Sequence, residues 1–200
     1  MILQALTKLY EDLADQGKLA REGWANAKIS YALCIDREGN LTQIVSLKQE
    51  EQSEKETEIR PRTMELPAAV KRSGRAVRPN FLWDNSSYLL GFDKKGDPER
   101  SRKCFEASRA FHHELLDLIA SETTRAILSF FDRWDVQNAT EHPAVQPVYD
   151  ELCKGANLVF RVNSSFAQKD AAIRTAWQAH YETDDGEKMP CLITGKNGPV

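Results

Sequence analysis

Several signals are missing from this 200-residue chain, and each absence narrows what it can be. No apolar run approaches the roughly 20 residues a membrane helix needs. Met1-Ile2-Leu3-Gln4 lacks the basic start and small-residue cleavage site of a secretory leader, so a cytoplasmic protein is expected. The four cysteines, Cys34, Cys104, Cys153 and Cys191, form no CxxC pair. Neither a zinc ribbon nor a disulfide framework is indicated, and they read as reduced, mostly buried thiols. There is no GxxxxGK[ST] loop, no HExxH and no GxSxG, which removes the geometry of nucleotide hydrolysis, zinc proteolysis and the serine elbow.

Histidine is scarce as well, yet two of the four residues are adjacent in His112-His113-Glu114-Leu115-Leu116-Asp117. Neighbours on a helix point about 100° apart and cannot share one metal. His113 and Asp117 are four apart and offer two ligands, but no third is identifiable, and His142 and His180 stand alone. A metal-dependent nuclease is therefore the weakest of the readings carried forward. The expectation is a protein with no catalytic residues, no metal and no cofactor.

The most pointed absence is of negative charge. From Leu66 to Trp83 the chain reads LPAAVKRSGRAVRPNFLW, with Lys71, Arg72, Arg75 and Arg78 and no acidic residue. Between Ala68 and Lys103 there are nine Lys/Arg against four Asp/Glu, a local +5 in a chain whose net charge is -3. Positive potential concentrated on one short segment attracts polyanions. Ser73-Gly74 is a turn signal, and glycine takes positive φ at no steric cost. Backbone N–H groups in such a turn join the flanking cations in contacting phosphate. Pro79 drives Arg78 to an extended conformation. Asn80 carries a donor and an acceptor and so has the chemistry to read a base edge. The plain alternative is a solvated loop whose charges add little to folding, with Phe81, Leu82 and Trp83 as core residues.

Periodicity places these motifs. Ile2, Leu6, Leu9, Tyr10 and Leu13 mark an amphipathic first helix. Ile29, Tyr31, Leu33 and Ile35 alternate as a half-buried strand, Asp36 to Asn40 form a hairpin turn, and Leu41 to Leu47 return. From Lys48 to Arg62 five Glu and four Lys/Arg surround one apolar residue, Ile59, which predicts a solvated excursion. Thr63 to Leu66 predict a third strand. In WDNSS, Asp84 or Asn85 can cap a helix. Asp97-Pro98 opens another, with Phe105, Ser108, Phe111, Leu115 and Leu118 on its inward stripe. A helix after Ser121 carries Ile127, Phe130, Phe131 and Trp134. A short helix before Gly155 turns Val148, Tyr149 and Leu152 inward. Leu158, Phe160 and Val162 form a strand, Ile173, Ala176, Trp177 and His180 a helix, and Met189 to Thr194 a last strand. The expected fold is α+β: a small, mostly antiparallel sheet with an appended helical segment.

Four blocks together resemble a known family. They are MILQALTKLYEDLA, KISYALCID, VKRSGRAVRPNFLWDNSSYLLGFD at Val70 to Asp93, and FEASRAFHHELL at Phe105 to Leu116. In order and spacing they resemble the N-terminal part of the large subunit of the type I-C CRISPR surveillance complex, Cascade. Members of that family are longer and continue past CLITG at Cys191 to Gly195. The resemblance therefore implies an N-terminal domain over residues 1–200, mainly strands with a basic loop over 1–95 and mainly helices over 96–200.

It implies a non-enzymatic reader of duplex target DNA, which inspects the protospacer-adjacent motif while guide RNA reads the rest. Carried onto this chain, Lys71, Arg72, Ser73, Gly74 and Asn80 are the candidate motif contacts, and Arg75 and Arg78 the phosphate contacts. The implied partners are double-stranded DNA, crRNA and the other Cascade subunits, and a recruited helicase-nuclease. An acidic phage inhibitor that presents carboxylates to the loop is a further candidate. The alternative is an assembly module whose basic loop binds crRNA or a neighbouring subunit.

Overall fold

The computed structural model describes residues 2, 5, 8, 9, 21–52, 57–93, 97–183, 188–190 and 197–199. Its centre is β2 (Tyr31–Ile35), all five of whose residues are buried. The alternation in this segment predicts one buried face; the second is buried because neighbours distant in sequence cover it. β3 (Leu41–Ser46) lies antiparallel on one side, from Tyr31 opposite Ser46 to Ile35 opposite Leu41. β8 (Leu158–Val162) lies parallel on the other, with Tyr31 opposite Leu158 and Ile35 opposite Val162. The two-residue β7 (Trp83–Asp84) adds antiparallel to β8, giving the order β3-β2-β8-β7, and β9 (Ser165–Phe166) also pairs with β8. The fold is α+β, with one parallel pair at the heart of an otherwise antiparallel sheet.

Each face of the sheet has its own cover. A separate antiparallel ribbon, β1 (Trp24–Ile29) with β6 (Arg62–Pro67), brings Ala27, Ile29, Met64 and Leu66 against Trp83 and Val159. The chain breaks at Ser30, so the first expected strand is two, serving different sheets. Helices cover the opposite face. The expected excursion over 48–62 contains an exposed ribbon, β4 (Gln49–Gln52) with β5 (Thr57–Arg60), where Arg60 pairs with Glu58 and Glu51. Its strands have no apolar face to bury, which is why they stand in solvent.

The helices begin where their caps dictate. α1 (Ser86–Leu89) is capped by Asn85, whose side chain accepts from the Ser87 N–H. α2 (Pro98–Leu116) starts at Asp97, which accepts from the Arg100 N–H, with Pro98 in the first turn. α3 (Glu122–Arg133) has a reciprocal box between Ser121 and Thr124. α4 (Tyr149–Cys153) is short, and α5 (Ala171–Thr183) completes the cover, with Ile173 and Trp177 buried.

The inward stripe of α2 is rotated from the expected one. Ser101, Cys104, Phe105, Ser108, His112 and Leu116 are buried, Phe111 and Leu115 sit at the edge, and Leu118 is 97% exposed beyond the helix end. His112 turns inward because its ring is hydrogen-bonded there. Tyr149, also expected inside, is 37% exposed, whereas Leu152 is fully buried.

Of the first expected helix, Ile2, Ala5, Lys8 and Leu9 are helical, and Ile2 and Leu9 are exposed rather than packed; its other positions lie outside the described residues. At the other end Lys188–Pro190 pairs with Asn197–Pro199, and the rest of the expected 189–194 strand lies outside them too. No helix among the described residues is long and apolar enough to cross a membrane.

Two close approaches fix the hairpin and the core. Gly39 has φ of +84°, and a Cβ there would stand 2.5 Å from the Phe130 backbone nitrogen, so the turn seats directly on α3. Phe130 and Phe131 each meet Phe160 edge-on at 5.5 Å. Truncation of a fully buried phenylalanine costs about 3–5 kcal/mol. Phe130→Ala is expected to lose that much in urea unfolding and Phe111→Ala clearly less. Equal losses would place Phe111 in the core.

A candidate nucleic-acid interface

The basic segment is a loop between β6 and β7, and its base is closed by side chains. Trp83 Nε1 donates to the Pro67 carbonyl at 2.9 Å. The Val70 N–H donates to Asn80 Oδ1 at 3.0 Å, and the Asn80 N–H donates to Asp84 Oδ2 at 2.9 Å. Asp84 is 1% exposed and also accepts from the Asn85 N–H at 2.9 Å. Its counter-ion is Arg72, whose Nη1 donates to Oδ1 at 3.0 Å and whose Nη2 donates to Oδ2. The Nε–H of the guanidinium donates to the Arg78 carbonyl at 2.7 Å, and Cζ lies 4.1 Å from the centre of the Tyr88 ring. Burial pushes the Asp84 carboxyl up, and Arg72 and the two N–H groups oppose that shift.

Two candidate contacts therefore have other work. Asn80 is 4% exposed, with its carbonyl spent on Val70, so it is placed to shape the loop rather than to meet a base edge. Arg72 shows only 27% of its side chain and holds the loop from within. The remainder of the set faces outward. Lys71, Ser73, Gly74, Arg75 and Arg78 are all exposed. The Ala76 N–H donates to the Ser73 carbonyl at 3.3 Å, closing the turn over Gly74 at φ of +61°. A side chain at Gly74 would meet nothing within 4 Å, so the backbone at the tip is open to a ligand. Lys71, Arg75 and Arg78 have no carboxylate partner among the described residues. From α2, Arg100 Nη1 reaches the Arg75 carbonyl at 3.3 Å and ties the tip to the helix.

Downstream, the loop plugs into the core. Phe81 is fully buried and stacks on Trp177 at 5.3 Å, 16° from parallel. Leu82 takes φ of +67°, a region leucine rarely enters, and its N–H donates to His112 Nε2 at 3.0 Å. His112 Nδ1 lies 2.7 Å from the Ser108 carbonyl; that partner requires the proton on Nδ1 and leaves Nε2 as the acceptor. Both ring nitrogens are thus committed, Nδ1 to Ser108 and Nε2 to Leu82. His113 instead faces Asp117 at 2.8 Å and Asp132 at 3.0 Å on the surface, where Arg109 shares Asp132. Among the described residues no group of three or more His, Cys, Asp or Glu is placed to hold a metal ion. Cys34 and Cys104 are buried thiols, Cys153 is half-buried, and Cys191 lies outside the described residues.

Arg72 and Lys71 should part company in stability. Lys71→Ala removes a solvated charge and is expected to shift unfolding by no more than about 0.5 kcal/mol. Arg72→Ala strands a buried carboxylate and should cost on the order of 3 kcal/mol. Urea titrations of both variants check this, and an unaltered Arg72→Ala midpoint would show that Asp84 does not depend on its partner.

The buried histidine gives a pH signature. Burial pushes His112 from 6.5 down to about 4. Between those values the unfolded chain binds the extra proton, so stability falls as pH drops from 6.5 toward 4 and is fully retained above 6.5. The loss is expected to reach roughly 3 kcal/mol. His112→Gln, which keeps an acceptor for Leu82 but cannot titrate, should flatten that part of the profile; parallel profiles would contradict the assignment.

The sequence named Asp84 and Asn85 as capping residues, and the latter does cap α1. The ion pair with Arg72 spans twelve residues and has no sequence signature. Comparison with known proteins places the chain more broadly. No curated protein matches it. Residues 6–200 match the family described as CRISPR-associated protein (Cas_Csd1), and the chain belongs to that family.

Proposed function

We propose that this chain is the N-terminal, DNA-binding domain of a type I-C Cascade large subunit, that it acts by binding rather than catalysis, and that it inspects the protospacer-adjacent motif in duplex DNA. Membership of a CRISPR-associated family supports a role in a Cas complex. The observation that carries the DNA reading is the loop itself. Its base is locked by Asp84 and Asn80, while Lys71, Arg75 and Arg78 project outward without carboxylate partners among the described residues. Cations held in advance on a fixed loop bind phosphate at a lower ordering cost than cations on a mobile one.

The roles follow from exposure. Lys71, Arg75 and Arg78 hold phosphates. Ser73 and the bare backbone of Gly74 lead the approach to a groove, where absence of a Cβ permits close contact with base edges. Arg72 and Asn80 set the shape that presents them. In the assembled complex crRNA, the neighbouring subunits and a helicase-nuclease are the partners, and an acidic inhibitor would compete for the same loop.

The test is a titration of the chain with fluorescein-labelled duplex DNA across a salt series. Lys71→Ala and Arg75→Ala should each weaken binding and lower the salt slope by roughly 0.9. Unchanged slopes in both variants would remove the loop as the DNA site. A preference for crRNA over duplex, lost in the same variants, would favour the assembly-module reading instead.

A further inference from the structure

Asp84, Asn80 and Arg72 close the basic loop on itself, but they do not aim it. Its direction is set where the chain leaves it, at Leu82. Both backbone groups of that residue are taken by distant elements: the N–H donates to His112 Nε2 on α2 at 3.0 Å, and the carbonyl accepts from the Phe160 N–H of β8 at 3.2 Å. Bonds on either side of one Cα fix both of its dihedrals. Here they hold a φ of +67°, which leucine keeps only where its surroundings impose it. The His112 ring is itself clamped. It is fully buried, its centre lies 4.7 Å from that of Phe131 and 5.3 Å from that of Phe81, and Phe160 and Phe111 meet it edge-on at 6.0 and 6.3 Å. Its Nδ1 is bonded to the Ser108 carbonyl, so the ring cannot swing away from Leu82 without losing that bond.

A released Leu82 would turn the chain between Phe81, stacked on Trp177, and Trp83, bonded to Pro67. Asp84 follows directly and would carry the Arg72 fork with it. Resting on the DNA reading above, we infer that His112 is a positioning residue for duplex binding: it touches no ligand, and through Leu82 it holds the loop in the arrangement that presents Lys71, Arg75 and Arg78 outward. Its contribution is a lower ordering cost on binding. That role has its own signature. Loss of a phosphate contact lowers the salt slope, because fewer counterions are released. Loss of positioning weakens binding at an unchanged slope, because the same contacts form in the complex after a costlier ordering of the loop.

The experiment uses the 200-residue chain and two variants that differ in where they place an acceptor. His112→Gln carries an amide oxygen to the position of Nε2, facing Leu82, whereas His112→Asn ends near Nδ1, beside Ser108. Each is titrated with fluorescein-labelled duplex across a salt series at neutral pH, where circular dichroism shows the chain folded. His112→Asn should bind about tenfold more weakly with the wild-type salt slope. His112→Gln should bind as the wild type does. Lys71→Ala supplies the contrast, with a slope lowered by roughly 0.9. Amide exchange of the free proteins reads the loop directly. The Val70 and Asn80 N–H groups close its base. In His112→Asn they should exchange faster by a larger factor than the Leu33 N–H of the central strand, which reports opening of the whole fold; in His112→Gln they should not.

Wild-type affinity in His112→Asn, while Lys71→Ala still weakens binding, makes His112 a core residue only and spares the loop. Equal weakening by both histidine variants overturns the inference, since the place of the acceptor then does not matter. A lowered slope in His112→Asn overturns it as well, because a contact rather than an ordering cost has changed. Where His112→Asn does not fold, the wild-type chain decides. Linkage is reciprocal, so bound duplex must slow exchange at the Leu82 N–H by a larger factor than at Leu33, and equal factors overturn the inference. If the wild-type chain does not bind duplex, the DNA reading falls with the positioning role, and the exchange of Val70 and Asn80 shows separately whether His112 holds the loop.

Discussion

One buried carboxylate organises the surface that matters. Asp84 sits at the end of a two-residue strand, where water cannot reach it, and must be satisfied from within. It takes the Asn80 and Asn85 N–H groups and the forked end of Arg72. The first bond fixes the descending arm of the loop, the second the entry to α1, and the third the ascending arm. A cation would normally be expected to point from such a loop into solvent; here one is spent internally so that its neighbours are held apart and outward. Removing either member of a buried pair costs far more than the pair contributes as a unit, so the arrangement is stabilising chiefly by making alternatives poor.

A second anchor lies on the core side of the same segment. Phe81 is wedged beside Trp177, and the unfavourable backbone of Leu82 is held by the His112 ring. Strain of this kind costs of order 1–3 kcal/mol and persists only where surrounding contacts over-determine it. The left-handed turn at Leu82 sends Trp83 to the ribbon face while Phe81 and Leu82 stay with the helices, so one short run stitches both halves of the core together.

Much of this was legible in the residues, and the failures share a cause. Asp97-Pro98 and Ser121 announced their helices because capping is a local bond between near neighbours. Gly39 announced its turn for the same reason. Tyr31 to Ile35 was recognisable as a strand, but its second buried face depends on β8, more than a hundred residues later. The rotated stripe of α2 depends on Leu82, thirty residues before His112. Lys71 and Arg72 are both cations and adjacent, and only the position of Asp84 makes one a solvent-facing charge and the other an internal brace. The side-chain amide of Asn80 has a reader's versatility, but Val70 takes its carbonyl and burial withdraws it from the surface. Local bonds are written in spacing, whereas choices among equivalent side chains are made by tertiary contact.

The order of strands carries a consequence for how the chain is made. β8 lies between β2 and β7, so Asp84 joins the sheet only through residues synthesised some seventy positions after it. During translation the basic segment leaves the ribosome long before its brace has anything to stand on. Contacts of such sequence separation close slowly because loop entropy must be overcome first. The edge of the sheet that Trp83 and Asp84 supply is therefore completed only once Leu158 and Val159 have docked beside it.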